Sequence, residues 1–189
     1  SSLSLPALTA YHALKEAELR PSQTLVVFGA SGNTGQFLVQ LGRKFGAKVI
    51  AVSRKNWLKE LGADLVVDYN EVEGKVKELT NGRMADIVVN SLGEQFWDKS
   101  FSVVGVKGKL VTFGTLLGTY ARIDLSQLYS KHISILGVNR GNRKDFAELL
   151  ELCKDCKVKT WKVFKIEEGK EALEALFSKD RDGRIFISV

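Results

Sequence analysis

The sequence has few of the residues that would point to redox or metal chemistry. Its 189 residues include two cysteines, two histidines, two prolines and one methionine. Cys153 and Cys156 have the Cys-x-x-Cys spacing, but no second pair of ligands accompanies them to complete a zinc site. The pair also follows the end of a predicted helix, whereas the thioredoxin-type motif opens one. We therefore expect two reduced thiols and no bound metal.

Long apolar runs are also missing. No stretch approaches the length of a membrane span, and Ser1–Leu8 lacks the basic flank and cleavage site of a signal peptide. We therefore expect a cytoplasmic protein without a membrane partner. The formal charge of +6 comes from 28 basic and 22 acidic residues, and these are interleaved along the chain. Such mixing predicts a solvated, slightly basic surface rather than a nucleic-acid partner.

What the sequence does contain is a regular alternation of short apolar strands and helices. Apolar side chains fill most of each predicted strand, which is typical of strands buried on both faces of a parallel sheet. The predicted strands are Thr24–Phe28, Lys48–Val52, Asp64–Val67, Asp86–Val89, Lys109–Phe113 and Ile133–Gly137. The predicted helices are Leu8–Leu19, Thr34–Phe45, Trp57–Leu61, Val72–Leu79 and Glu94–Phe101. The pattern predicts an α/β Rossmann fold, a doubly wound parallel sheet of six strands in the order 3-2-1-4-5-6.

The two ends of the chain lie outside this alternation. We predict a leading helix within residues 1–20, a Rossmann domain over 21–139 and a C-terminal segment over 140–189. The C-terminal segment contains the predicted elements Lys144–Cys153 (helix), Trp161–Ile166 (strand), Glu168–Phe177 (helix) and Arg184–Val189 (strand).

A glycine-rich turn between the first strand and the next helix carries the strongest functional signal. Its residues are Gly29, Ala30, Ser31, Gly32, Asn33, Thr34 and Gly35. The strand–turn–helix context is the one that a dinucleotide fingerprint requires, although Ala30 stands where its first glycine is usual. Gly32 lets the backbone approach a pyrophosphate, Gly35 lets the helix pack closely, and the helix N-terminus favours negative charge.

The end of the second strand lacks the acidic residue that accepts hydrogen bonds from the ribose 2′-hydroxyl of NAD. The sequence there is Ser53-Arg54-Lys55. A 2′-phosphate would meet a hydroxyl, a planar guanidinium and an ammonium group, which suit it well. These residues therefore favour NADP(H) over NAD(H). The same lack of a carboxylate disfavours S-adenosylmethionine as an alternative ligand.

Several motifs together resemble the medium-chain dehydrogenase/reductase superfamily, in particular its zinc-type alcohol dehydrogenase-like and quinone oxidoreductase-like branches. The similar segments are Leu8–Leu14, Gly29–Gly35, Val39–Leu41, Leu61–Asp64, Asp86–Gly93, Gly108–Gly114 and Gly183–Phe186. The resemblance implies further cofactor contacts at Tyr69, Ser91, Leu92, Gly114, Thr115, Gly137, Val138, Asn139 and Arg184.

The resemblance also implies a preceding chaperonin-10-like catalytic domain that this sequence does not contain. Ser100, Asp124 and His132 form no recognisable triad, so we assign no catalytic residue and expect the chain alone to be inactive. The leading hypothesis is the NADP(H)-binding domain of an oxidoreductase that transfers hydride to or from a carbonyl, enone, enoyl thioester or quinone. Its partners would be that small-molecule substrate and further copies, as a homodimer or homotetramer. The alternative is a free-standing dinucleotide-binding module or sensor.

Overall fold

The computed structural model describes residues 3–178 and 180–188 of the chain. Ser1, Ser2, Lys179 and Val189 lie outside the described residues. So do the parts of the predictions that fall on them: the beginning of segment 1–20, one position within 140–189 and the last residue of the strand Arg184–Val189.

Six parallel strands form the main sheet. They are β1 (Thr24–Phe28), β2 (Lys48–Val52), β3 (Leu65–Val67), β4 (Ala85–Asn90), β5 (Val104–Thr112) and β6 (Ser134–Gly137). Their order is β3-β2-β1-β4-β5-β6, which confirms the predicted topology. All five residues of β1 are buried, because helices cover both faces of the sheet. The carboxyl ends of all six strands lie along one edge, where the candidate site is built.

Seven α-helices accompany the strands in the described ranges. They are α1 (Leu8–Glu16), α2 (Gly35–Lys44), α3 (Val72–Leu79), α4 (Trp97–Ser102), α5 (Leu125–Ser130), α6 (Arg143–Leu152) and α7 (Gly169–Leu176). A π-helical segment, Leu3–Ala7, precedes α1, and 3₁₀ turns cover Asn56–Lys59, Glu94–Phe96 and Ile166–Glu168. No helix in the described ranges has the length and apolar character needed to cross a membrane.

The observed boundaries differ from the predicted ones at a few places. The first helix stops at Glu16 rather than Leu19, because Glu18 takes a left-handed φ of 56° that ends the helix. The segment predicted as the helix Trp57–Leu61 is a short 3₁₀ turn. Helix α5 was not predicted; the side chain of Asp124 caps it by accepting a hydrogen bond from the amide of Gln127.

The core consists of two apolar layers, one on each face of the sheet. Alternate residues of β1 divide between them: Leu25 and Val27 face one layer, and Val26 and Phe28 face the other. Side chains from α1, α2 and α6 complete the first layer, and side chains from α3 and α4 complete the second.

Helix α6 is joined to α1 by a buried polar cluster. Asp145 on α6 is 1% exposed, and its carboxylate lies 2.8 Å from Lys15 Nζ and 2.8 Å from His12 Nδ1. Burial alone raises the pKa of Asp145, but hydrogen bonds from Lys15 and the Asn142 capping turn outweigh it, so the pKa lies below its usual value. His12 is therefore a packing residue, whereas His132 is exposed.

A second sheet stands apart from the first. Its two parallel strands are β7 (Thr160–Lys165) and β8 (Arg184–Ser188). The described residues of both strands are exposed or half-buried. Two buried glutamines of α2 hold the segment that leads into β7. Gln40 exchanges two hydrogen bonds with the backbone of Lys157, and Gln36 accepts one from the amide of Lys159.

Cys153 and Cys156 are free thiols, as predicted. Cys153 follows the end of α6 and is buried, whereas Cys156 is half-buried. The thiol of Cys153 hydrogen-bonds to Cys156, which raises the pKa of Cys153 and lowers that of Cys156.

Candidate functional site

The turn between β1 and α2 is closed so tightly that it admits no side chain at Gly35. A Cβ atom built on Gly35 would lie 2.3 Å from the carbonyl oxygen of Gly29 and 2.6 Å from that of Ala30. Gly29 itself has a φ of 72°, and its carbonyl oxygen accepts a hydrogen bond from the amide of Gly32 at 2.9 Å. Helix α2 therefore begins directly over the end of β1.

The N-terminus of α2 carries an excess of positive partial charge. Thr34 occupies the N-cap position, and its side chain makes no capping hydrogen bond within the described chain. The first turn of α2 contains no acidic residue. The amides of Gly32, Gln36 and Phe37 already donate to the carbonyls of Gly29, Gly32 and Thr34. The other amides of the turn are the ones that could face an anion, and the helix dipole adds to their attraction for it. This end of α2 is chemically suited to phosphate.

Asn90 shapes the loop that follows β4, next to the glycine-rich turn. It is fully buried. Its Oδ1 accepts hydrogen bonds from the amides of Leu92 and Gly93 at 2.9 and 3.0 Å, and its Nδ2 donates to the carbonyl of Gly93 at 3.1 Å. Our sequence analysis included Asn90 only as part of a longer motif and missed this role. The available signal was a polar residue at the end of an otherwise apolar strand.

Ser91 connects this loop to the loops on either side. Its Oγ donates a hydrogen bond to the carbonyl of Phe28 at 3.2 Å, and a Cβ atom on Gly114 would lie 2.5 Å from its carbonyl oxygen. The amide of Leu117 also donates to the carbonyl of Leu92 at 2.7 Å. The ends of β1, β4 and β5 therefore bring the predicted residues Ser91, Leu92 and Gly114 together, and Thr115 follows Gly114 on the surface.

The two cations after β2 have different surroundings. Arg54 is exposed and has no hydrogen bond or ion pair with any described residue. Lys55 Nζ, in contrast, lies 2.9 Å from Asp182 Oδ1, and Trp57 Nε1 donates to the same oxygen at 3.0 Å. Although the sequence has no carboxylate after the second strand, the fold supplies one from the C-terminal segment. Ser53 is buried, and its Oγ accepts a hydrogen bond from the amide of Lys55.

Tyr69 lies beside the glycine-rich turn. Its ring centroid is 6.2 Å from that of Phe28 and 4.3 Å from that of Phe96. Burial raises the pKa of Tyr69, while a hydrogen bond from the amide of Gly29 and the charge of Arg54 act in the opposite direction. Tyr69 is thus close to both the turn and Arg54.

The remaining predicted residues lie further along the sheet edge or on the second sheet. Val138 is buried, and its amide donates to the carbonyl of Thr112 at 2.9 Å, which places Gly137 and Asn139 next to the end of β5. Arg184 begins β8. Its guanidinium lies 5.4 Å from the ring of Phe186, and its Nη1 is buried without a hydrogen-bond partner among the described residues. This burial lowers the pKa of Arg184.

Metal-binding side chains do not cluster beside these groups in the described part of the chain. Ser100 hydrogen-bonds to the carbonyl of Trp97 and accepts from Asn90, so it is committed to the fold. The described residues contain no group of three metal-binding side chains. A concavity of about 490 Å³ is lined by Glu94, Trp97, Asp98, Tyr120, Ala121 and Arg122. It includes none of the predicted cofactor contacts.

Comparison with known proteins agrees with this arrangement. A family model described as zinc-binding dehydrogenase matches residues 34–155. An NAD-dependent alcohol dehydrogenase of Sulfolobus acidocaldarius is 34% identical over 156 residues, which cover 79% of this chain and 45% of the relative. Quinone oxidoreductase-like protein 2 homolog of Nematostella vectensis is 34% identical over 148 residues, which cover 75% of this chain and 40% of the relative.

A solved structure of a thermostable alcohol dehydrogenase from Pyrobaculum aerophilum, with cobalt and zinc bound, is also similar. It matches with a TM-score of 0.89 at 33% identity, over 100% of this chain and 57% of that one. The chain spans less than half the length of the two curated relatives. It belongs to the zinc-binding dehydrogenase family and corresponds to the cofactor-binding domain of the medium-chain dehydrogenase/reductase superfamily.

Proposed function

We propose that this chain binds NADP(H) at the carboxyl edge of its six-stranded sheet, as the cofactor-binding part of an oxidoreductase. The observation that carries the proposal is the turn Gly29–Gly35. It brings the uncapped N-terminus of α2 over the end of β1 and leaves no room for a side chain at Gly35. A backbone cradle of this kind, at a helix N-terminus, fits a pyrophosphate.

Each group of site residues has a proposed share in holding the cofactor. The turn would hold the pyrophosphate through backbone amides, and the groups after β2 would hold the adenosine ribose with its 2′-phosphate. Ser91 and Leu92 would lie near the adenosine. The nicotinamide side would be lined by Gly114, Thr115, Gly137, Val138 and Asn139.

Arg184 is a further proposed phosphate contact. Its buried Nη1 lacks a protein partner in the described ranges, and an anionic ligand would satisfy it. Burying a guanidinium donor without an acceptor is costly, so this orphaned group supports an anion nearby.

The preference for NADP(H) is the finer part of the proposal and rests chiefly on Arg54. An exposed guanidinium without a protein partner can donate two parallel hydrogen bonds to a phosphate. Tyr69 is close enough to Arg54 for the positive charge of Arg54 to act on the pKa of Tyr69. Lys55 contributes less because Asp182 already pairs with it. The Sulfolobus relative is named NAD-dependent. Membership of the family therefore does not decide between the two cofactors, and the proposed NADP(H) preference rests on the residues after β2.

The bound nicotinamide would supply hydride transfer, and this chain's residues would hold and orient the cofactor. We assign no residue of the chain to proton transfer or to substrate polarisation. Those groups would come from a preceding domain, to which residues 1–20 would lead. The division at 21–139 and 140–189 remains part of this proposal. The substrate would be a carbonyl, enone, enoyl thioester or quinone.

The proposal also includes the cellular location and the oligomeric state of the protein. Free thiols at positions 153 and 156 support residence in the reducing cytoplasm. Strand β6 forms one edge of the main sheet, and pairing of this edge between copies would produce a homodimer or homotetramer.

Calorimetric titration of the chain with NADPH and with NADH tests the proposal. We expect NADPH to bind more tightly, and Arg54→Ala to weaken NADPH binding about tenfold or more while NADH binding is unchanged. Lys48→Ala, which removes an exposed cation at the opposite end of β2, is the matched control and should leave both affinities intact. Equal affinities in the unmodified chain would overturn the NADP(H) preference, and binding of neither dinucleotide would overturn the function.

A further inference from the structure

Asp182 forms an ion pair with Lys55, one of the two cations that follow β2. Its Oδ1 lies 2.9 Å from Lys55 Nζ and accepts a hydrogen bond from Trp57 Nε1 at 3.0 Å. Both charged side chains are partly accessible, with Lys55 36% and Asp182 38% exposed. The hydrogen bonds from Lys55 and Trp57 lower the pKa of Asp182. Asp182 is therefore ionised at neutral pH, and its ion pair with Lys55 is still open to solvent.

Helix α2, which follows the glycine-rich turn, also helps to position Asp182. Gln36 and Gln40 of α2 hold the backbone of residues 157–159. The amide of Arg184 in turn donates to the carbonyl of Lys159 at 2.7 Å. Gly183, with a φ of 141°, passes so close that a Cβ atom there would lie 2.5 Å from that carbonyl oxygen. This chain of contacts brings Asp182 to the end of β2.

We propose that Asp182 is a specificity-determining residue, which withholds Lys55 from a nucleotide 2′-phosphate and so limits the NADP(H) preference conferred by Arg54. The inference rests on the proposed function. A 2′-phosphate approaching this edge would find Arg54 available, whereas it would have to compete with a carboxylate for Lys55. A ribose 2′-hydroxyl carries no charge, so the carboxylate of Asp182 would not oppose NAD(H) and could accept a hydrogen bond from that hydroxyl.

The alternative role for Asp182 is purely structural. Its bond to Trp57 fastens the C-terminal segment to the 3₁₀ turn after β2, and this fastening alone would affect stability without changing the choice of cofactor. The two roles therefore differ in one quantity, the ratio of the dissociation constants for NADPH and NADH. Asp182→Asn is suited to separate them, because it removes the charge but keeps a side-chain oxygen for Trp57.

The experiment is calorimetric titration of the 189-residue chain and its variants with NADPH and with NADH. Asp182→Asn should strengthen NADPH binding about two- to fivefold, the range of exposed ion pairs, and should not strengthen NADH binding. High salt should diminish this gain because the charges are exposed. Asp182→Glu, which keeps the negative charge, should leave the ratio of the NADPH and NADH dissociation constants as it is in the unmodified chain. Trp57→Phe, which removes the indole N–H donor but keeps an aromatic ring, should leave the ratio unaltered.

The double variant Lys55→Gln/Asp182→Asn tests whether the effect passes through Lys55. The gain in NADPH affinity should largely disappear when Lys55→Gln is the background. An unchanged ratio in Asp182→Asn, or a full gain without Lys55, would overturn the inference. If NADPH binding still depends on Arg54 in that case, the proposed function stands and only the role of Asp182 fails. If neither dinucleotide binds the unmodified chain, both proposals fail.

Discussion

The two sheets of this molecule are held in place by different physical means. In the six-stranded sheet, β1 is buried along its whole length, and helices on both faces remove its apolar side chains from water. In the two-stranded sheet, the described residues of β7 and β8 are half-buried or exposed. Val158, just before β7, packs against the core of the main sheet. Polar contacts add to this attachment: the bonds of Gln36 and Gln40 to residues 157–159, and the bonds of Asp182 to Lys55 and Trp57.

The difference matters for function because the candidate site draws on both regions. The glycine-rich turn belongs to the apolar sheet, where burial fixes the backbone rigidly enough to present amides to a phosphate. Asp182 and Arg184 belong to the polar attachment, which is easier to move. The first region therefore provides the cradle, and the second adjusts the charge around it.

The largest expected effect is on the free energy of unfolding, and it compares one leucine from each region. Leu149 on α6 is fully buried against the main sheet's core, whereas Leu173 on α7 is 63% exposed. We expect Leu149→Ala to lower the free energy of unfolding by about 3 kcal/mol. Leu173→Ala should change it by about 0.5 kcal/mol or less. Urea denaturation measures both, and equal losses would mean that the second region is packed as tightly as the first.

The next effect concerns the turn over β1. Gly35→Ala forces a methyl group to within 2.3 Å of the Gly29 carbonyl oxygen, so it should lower the free energy of unfolding by about 2.5 kcal/mol and weaken dinucleotide binding. Gly74→Ala is the matched control, because Gly74 lies inside α3 with nothing within 4 Å of its Cβ position. That variant should raise stability by about 0.5–1 kcal/mol. Thermal denaturation distinguishes them; a neutral Gly35→Ala would contradict the tight turn.

Asp145, which joins α6 to α1 on one face of the main sheet, predicts a dependence of stability on pH. Its pKa in the folded chain lies below the usual 3.8, so its ionised form contributes stability above that pH. The contribution is lost as the pH falls through the lower folded-state pKa. Asp145→Asn should cost about 2 kcal/mol at neutral pH, and the difference from the unmodified chain should shrink on acidification. Urea denaturation over an acidic pH series measures this; a difference that grows at low pH would refute it.

The smallest expected effect concerns the attachment of the second sheet. Gln40→Met keeps the side-chain volume but removes both hydrogen bonds to Lys157. Amide exchange in β7 should accelerate about tenfold, or about 1.4 kcal/mol of local stability, while exchange in β1 stays unchanged. Gln95→Met, at an exposed position, should alter neither strand. Faster exchange throughout the chain would show that the two sheets unfold together.

The sequence predicted most of the first region because the signals there are local. The run Leu25–Phe28 within β1 is apolar throughout, and helix Val72–Leu79 was predicted with the observed boundaries. Each signal depends on residues within one or two turns of each other. The short helix Leu125–Ser130 escaped prediction, because its six residues offer too little periodicity.

The contacts of the second region could not be predicted in this way. Trp57 and Asp182 are 125 positions apart, and nothing near either residue indicates the other. The sequence directly after β2 therefore lacks the carboxylate that the fold supplies from Asp182. Buried glutamines such as Gln36 and Gln40 gave no signal either, because a polar residue on a helix is ordinarily expected to face solvent.

The most direct test of dinucleotide binding at the turn is a titration of the ¹⁵N-labelled chain with NADPH, followed by backbone amide chemical shifts. The account predicts that the largest shift changes fall on residues 29–35 at the start of α2, with further changes at residues 53–55 and 91–92. Changes centred on the concavity between Glu94 and Arg122, or no changes at saturating NADPH, would contradict it.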